Sequence, residues 1–283
     1  MFFNNTIANF AEPIAGGAFP LATAFIAASG VTGSAIVTAL QTLETDLNTY
    51  GLTSKMIALY PLVGGTIGTV KYNFMNPLDT DAAYRLTAVG NVNIASNGIS
   101  GSNVDLGGGF NNGFNTNISA SVLTNNDNHL CFYSRTNPSQ VGILYPTELG
   151  ADDDGAGTVR QLALNAKYYA DNRCMIMNLR EGAGSATFNQ GTPTGLYVGT
   201  RRSSTDLYLY KNLGGTTTTA TDVASNTRTT VGYTQVITLT TKGGATSNRQ
   251  LAFASVGYGL TNTQVTDLYT TVQAFQTTLG RQV

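Results

Sequence analysis

Residues 52–283 are written in short runs of Val, Ile, Thr, Tyr and Phe, closed by Gly, Asn and Ser clusters such as "SNG", "GGG", "NNG", "LGG" and "KGG". Runs this short leave little room for anything but a β architecture. β-Branched and aromatic side chains fit a pleated, half-buried surface, and Gly and Asn supply the backbone angles of tight turns. The pattern predicts strands near residues 85–89, 129–135, 140–145, 161–166, 175–179, 195–200, 207–211, 236–240 and 250–256. In "LYLYKN" the alternation puts Tyr208 and Tyr210 on one face and Leu207 and Leu209 on the other. Many short strands with almost no helix between them predict a mainly β sandwich or jelly roll.

Two helical patterns flank this β body. Within residues 32–51, Ile36, Leu40, Leu43, Leu47 and Tyr50 recur at alternating spacings of four and three. That is the seam of a short coiled coil, joining copies into a homo-oligomer with a trimer as first guess, or equally one apolar face packed on the domain. At the other end, Thr261 and Gln264 have capping-box spacing. Val265, Leu268, Tyr269, Val272, Phe275 and Leu279 then form an apolar stripe, with Gly280 placed to end the helix and Arg281 near its negative end. This helix is expected to pack on the sandwich, over a sheet face or an open edge.

Residues 1–31 are apolar, with Phe2, Phe3, Phe10 and Phe19 and a single charge, Glu12. They have no clean period. A segment this apolar outside a regular element calls for a partner surface, so it reads as a docking segment. No Lys or Arg precedes Glu12, so no secretory signal is expected. The longest apolar run, residues 18–28, is about half of the roughly 20 residues a membrane span needs.

Only 11% of residues are charged, against about 25% in ordinary domains. There is no basic run, which argues against nucleic acid as a partner. A nearly neutral surface suits a protein embedded in an assembly better than a free monomer. Cys131 and Cys174 lie far apart and outside any CxxC pattern. They read as small buried hydrophobes, with a disulfide as the alternative.

Candidate chemistry is sparse. Asp152, Asp153 and Asp154 followed by Gly155 offer oxygens for Ca²⁺, but the downstream ligands of an EF-hand are missing, and a solvated loop tip is the plainer reading. No other metal and no cofactor is expected. His129 is the only histidine and reads as a structural strand residue. No GxSxG elbow is present, and acids such as Glu44, Asp46, Asp79 and Asp81 sit in helices and turns. The expectation is a non-enzyme. Arg201, Arg202, Tyr208 and Tyr210 share one hairpin, where Tyr faces and Arg donors would suit a sugar; the alternative is that the tyrosines pack the sheet. Gly107, Gly108 and Gly109 lack a following GK[ST] and read as a loop.

Five ordered segments carry a resemblance: "SKMIALYPLVGG" (54–65), "DTDAAYRL" (79–86), "NHLCFYSRT" (128–136), "GLYVGTRRSSTDLYLYKN" (195–212) and the closing stretch from residue 248. Together they resemble a group of bacteriophage virion proteins with a concanavalin A-like, laminin-G-like jelly roll. The resemblance spans residues 32–283 and leaves the N-terminal segment unexplained. Tyr258 stands where an acid is frequent in that group. The resemblance implies a structural component of the virion: a capsid spike, head fibre, decoration or tail-associated protein with other virion proteins as partners. The alternative is an adhesin that binds host glycans.

Overall fold

Strand β17 (Leu251–Gly257) is buried along all seven residues. A strand can be buried throughout only if both of its faces are covered, and the fold follows from what covers them. The computed structural model describes residues 18–95, 98–101, 112–124, 126–137, 147–151, 162–168, 173–177, 185–189, 193–203, 206–213, 216–221, 235–242 and 245–283.

Within these residues the chain is mainly β, built on two antiparallel sheets with few helices. The first sheet runs β13 (Thr216–Thr221), β12 (Asp206–Leu213), β11 (Gly195–Ser203), β6 (Asn128–Ser134), β17, β4 (Gly98–Gly101), β3 (Val92–Ala95), and β1 (Met56–Tyr60) also pairs with β17. The second runs β10 (Ser185–Asn189), β9 (Arg173–Met177), β8 (Leu162–Tyr168), β7 (Leu149–Ala151), β14 (Val236–Leu239), β5 (Gly113–Ser119), β2 (Thr87–Val89). A small ribbon, β15 (Thr241–Lys242) with β16 (Ala245–Thr246), stands apart.

The inner faces of the two sheets share one core. Tyr60, Phe132, Tyr197, Leu209 and Val256 of the first sheet meet Phe114, Leu149, Leu164, Ile237 and Leu239 of the second. Phe132 and Tyr197, neighbours on β6 and β11, stack with ring centroids 4.9 Å apart. The predicted alternation on β12 is observed: Leu207 and Leu209 enter this core, while Tyr208 and Tyr210 point the other way.

The outer face of the first sheet carries a second core, roofed by helices. Cys131, Tyr133, Val198, Tyr210 and Phe253 pack beneath α1 (Pro20–Ser29), α2 (Ser34–Thr49) and α4 (Asn262–Thr278). A single turn, α3 (Ile67–Val70), lies between β1 and β2. The closing helix packs on the first sheet as expected, burying Val265, Leu268, Val272 and Phe275. Its capping box is formed: Gln264 N donates to Thr261 Oγ1 at 3.2 Å and Thr261 N donates to Gln264 Oε1 at 3.0 Å.

Two expectations need correction here. Leu40, Leu43 and Leu47 are fully buried inside the chain, and Ile36 is half-buried against the same cluster. Of the two readings of this helix the packed face is observed. Side chains already enclosed by the chain's own helices and sheet cannot form a seam between copies. Residues 20–29, expected to lie outside any regular element, form helix α1 with Ala22 and Phe25 fully buried. Phe25 contacts Phe74 with ring centroids 5.6 Å apart. Phe19, at the start of α1, is half-buried on the same core and so faces its own chain. Phe2, Phe3 and Phe10 lie outside the described residues. Cys131 is a free, buried thiol on β6.

Candidate functional site

The β11–β12 hairpin brings three of its four predicted residues together. Arg202 lies over the Tyr208 ring, with its guanidinium carbon 4.1 Å from the ring centre, and its Nε is 3.1 Å from the Asp206 carboxylate. Tyr208 and Tyr210, two apart on β12, stack at 6.0 Å. Arg202 Nη1 at 2.9 Å and the Tyr210 hydroxyl at 2.5 Å both donate to Oδ1 of Asn262, the first residue of α4. The Tyr208 hydroxyl is shifted upward, first by its hydrogen bond to Asp206. Arg201 does not join them. It is buried, and its Nε donates to the Ser203 carbonyl at 3.0 Å. The aromatic and cationic groups a sugar would need are engaged with one another and with the helix. The cluster fastens the start of α4 to the hairpin.

A second arrangement escaped the sequence reading. His129 and Ser255 lie on neighbouring strands under the helix layer, with His129 Nε2 3.0 Å from Ser255 Oγ and Nδ1 2.7 Å from the Tyr258 carbonyl. A carbonyl only accepts, so Nδ1 bears the proton and Nε2 accepts from the serine hydroxyl. Burial holds the imidazole down to about 4, with the Tyr258 hydrogen bond opposing and Lys55 adding to the fall. The ring is therefore neutral at pH 7. This is a nucleophile–base pair in outline, yet both residues have no exposed surface. Gly257 covers the ring edge so closely that a Cβ there would sit 2.8 Å from His129 Cε1. No substrate reaches the hydroxyl in this conformation, and the structural reading of His129 stands on its contacts.

Glu148, just before β7, is fully buried. Burial pushes its carboxyl upward against the opposing pull of Arg249, whose Nε is 3.3 Å away. The backbone amide of Ala166 and the Ser247 hydroxyl each donate to it at 2.7 Å. Among the described residues no second carboxylate acts on it, as one would in the paired acids of glycan hydrolysis. Among the described residues no three His, Cys, Asp or Glu side chains converge as metal ligands. Asp152, Asp153, Asp154 and the glycines 107–109 lie outside the described residues.

The remaining candidate is the N-terminal helical surface. From Pro13 to Leu43 no residue is charged, and Glu12 is the only charge before Glu44. Glu44 itself is buried. The solvent-facing positions of α1, the link after it and the start of α2 are Pro20, Thr23, Ala27, Gly30, Thr32, Gly33, Ser34, Ala35 and Thr38, all small or neutral. No helix among the described residues is long and apolar enough to cross a membrane.

No protein-family model matches the chain. No curated protein matches it either. Among solved structures it is similar to domain 4 of AbnA, a GH43 extracellular arabinanase from Geobacillus stearothermophilus, in complex with arabinotriose. The TM-score is 0.46 at 12% identity, over 76% of this chain and 98% of that one. It is also similar to Trypanosoma rangeli sialidase, with a TM-score of 0.46 at 10% identity, over 82% of this chain and 38% of that one. At TM-scores below 0.5 neither likeness bears on function.

Proposed function

We propose that the chain is a non-enzymatic structural protein of a bacteriophage particle, a capsid spike, head fibre or decoration protein. Its N-terminus docks on other virion proteins, and the β body is displayed outward. One observation carries the docking: a single charge in the first 43 residues, on a chain whose helix α1 and start of α2 expose only neutral side chains. A neutral face is desolvated against a partner without stranding charges. The virion assignment rests on the resemblance of the five ordered segments. The same resemblance supports a concanavalin A-like jelly roll, and two antiparallel sheets sharing one core accord with it.

The test removes residues 1–17 and leaves α1 intact, because Phe25 belongs to the core. The truncated protein is expected to fold and to be missing from purified particles. Normal incorporation would remove the docking reading. The second reading, a host-glycan adhesin, receives no support from the hairpin, where Arg202, Tyr208 and Tyr210 satisfy one another. A glycan array probed with full-length protein and with Arg202→Ala separates the two. Binding lost on substitution would favour the adhesin.

A further inference from the structure

The turn between β17 and α4 is held at four successive backbone groups. Tyr258 N donates to the Lys55 carbonyl at 2.9 Å, and the Tyr258 carbonyl accepts from His129 Nδ1 at 2.7 Å. Gly259 N donates to Asp127 Oδ1 at 2.7 Å, and Leu260 N donates to Thr200 Oγ1 at 2.8 Å. A Cβ on Gly259 would lie 2.5 Å from the Arg201 carbonyl, so the turn has no slack. Here the residues that follow α2, the ends of β6 and β11, and the entry to α4 all meet. His129 is the one imidazole in the chain, the side-chain type that ordinarily changes charge between pH 5 and 8.

The groups that face this ring can be named element by element. β17 presents Ser255 and Gly257, β11 presents Thr200, and β6 itself presents Cys131 beside Ser255. The charged groups acting on it are Lys55, ahead of β1, and Asp127, ahead of β6. A proton on Nε2 would force the Ser255 hydroxyl to turn its hydrogen away. It would also place a cation without water under the helix roof, in the field of Lys55.

We infer that His129 is an acid-sensitive pin: a proton on Nε2 leaves the Nδ1 bond to the Tyr258 carbonyl in place, but the buried cation can be hydrated only when the 258–260 turn, and with it the start of α4, lifts from the first sheet while the second sheet stays folded. The sign follows from burial. The neutral ring is favoured in the closed state, so the pin holds fully above the ordinary histidine value of about 6.5 and weakens as pH falls. It is lost as pH reaches about 4, where the buried ring takes up its proton. Across that window the open fraction of the junction rises roughly 300-fold. Local opening of this kind precedes global unfolding because it exposes far less of the core.

The test uses the full chain. NMR of the lone imidazole gives its midpoint, and amide exchange corrected for intrinsic rates gives protection factors between pH 7 and 4.5. The expected result is a midpoint near 4. Protection at Tyr258, Leu260 and Val265 should fall more than tenfold, while amides of β5 and β14 keep theirs. In His129→Gln the acid loss at these three amides should vanish. A midpoint near 6.5 would overturn the inference. So would joint loss of protection in the turn and the second sheet, or an unchanged acid response in the variant. If the variant does not fold, the wild-type comparison between the turn and the second sheet decides alone.

Discussion

The Glu44 carboxylate on α2 accepts the backbone amides of Leu21 at 3.1 Å and Ala22 at 2.8 Å, in the first turn of α1. One helix thus caps another, and the only charge between Glu12 and Asp46 serves the orphan donors of a helix start. Glu44→Ala leaves both amides buried and unpaired. It should cost about 2 kcal/mol, read as a lower urea midpoint at unchanged slope. Glu44→Gln, which keeps one acceptor oxygen, should recover part of that loss.

Arg281, three residues beyond the end of α4, has its guanidinium buried. Its Nη1 donates to the Leu62 carbonyl at 2.8 Å, its Nη2 to the Pro61 and Ala252 carbonyls at 3.2 and 2.9 Å, and its Nε to Gln276 Oε1 at 2.9 Å. A planar fork reaches four oxygens that an ammonium cannot. Arg281→Lys should therefore be far from conservative, with a loss of about 3 kcal/mol in chemical denaturation.

Truncation after Gly259 removes α4 and uncovers Tyr133, Val198 and Phe253 on the first sheet. The four buried apolar side chains of the helix contribute on the order of 8 kcal/mol together, comparable with the whole stability of a domain. The truncated chain should be insoluble on expression. A soluble, folded product would mean that the helix serves a partner instead.

Gly257 faces β1 at a distance that admits no side chain. A Cβ there would lie 1.9 Å from the Lys55 carbonyl oxygen, a backbone atom that cannot step aside. Gly257→Ala should cost about 3 kcal/mol or more, seen as a fall in melting temperature of the purified protein.

The difference between α4 and α1 shows what a sequence can disclose. Helix α4 declares itself through a local capping box and a stripe set against polar residues, and both are found as read. Helix α1 carries no charged side chain and only Thr23 and Ser29 among its polar ones, so it offers little contrast from which a period can be taken. Its cap comes from Glu44, 22 positions beyond Ala22, where no local grammar looks. The same limit explains the leucines of α2: spacing marks an apolar face but not whether that face meets the same chain or another copy. Tyr208 and Tyr210 were placed on the correct face by alternation alone. That Arg202 and Asn262 would claim them depends on α4 crossing the hairpin, which is a tertiary fact. The pairing of His129 with Ser255 likewise needs the register of β6 against β17.

That register has a consequence for how the protein is made. β17 lies between β6 and both β1 and β4, and it belongs to the cores on either side of the first sheet. On the ribosome, the strands that pair with it emerge long before it does, and they wait with open backbone edges until residues 251–257 arrive. Closure of the first sheet therefore waits on the synthesis of residues 251–257. Until that moment the nascent chain carries unpaired, apolar strands in need of protection.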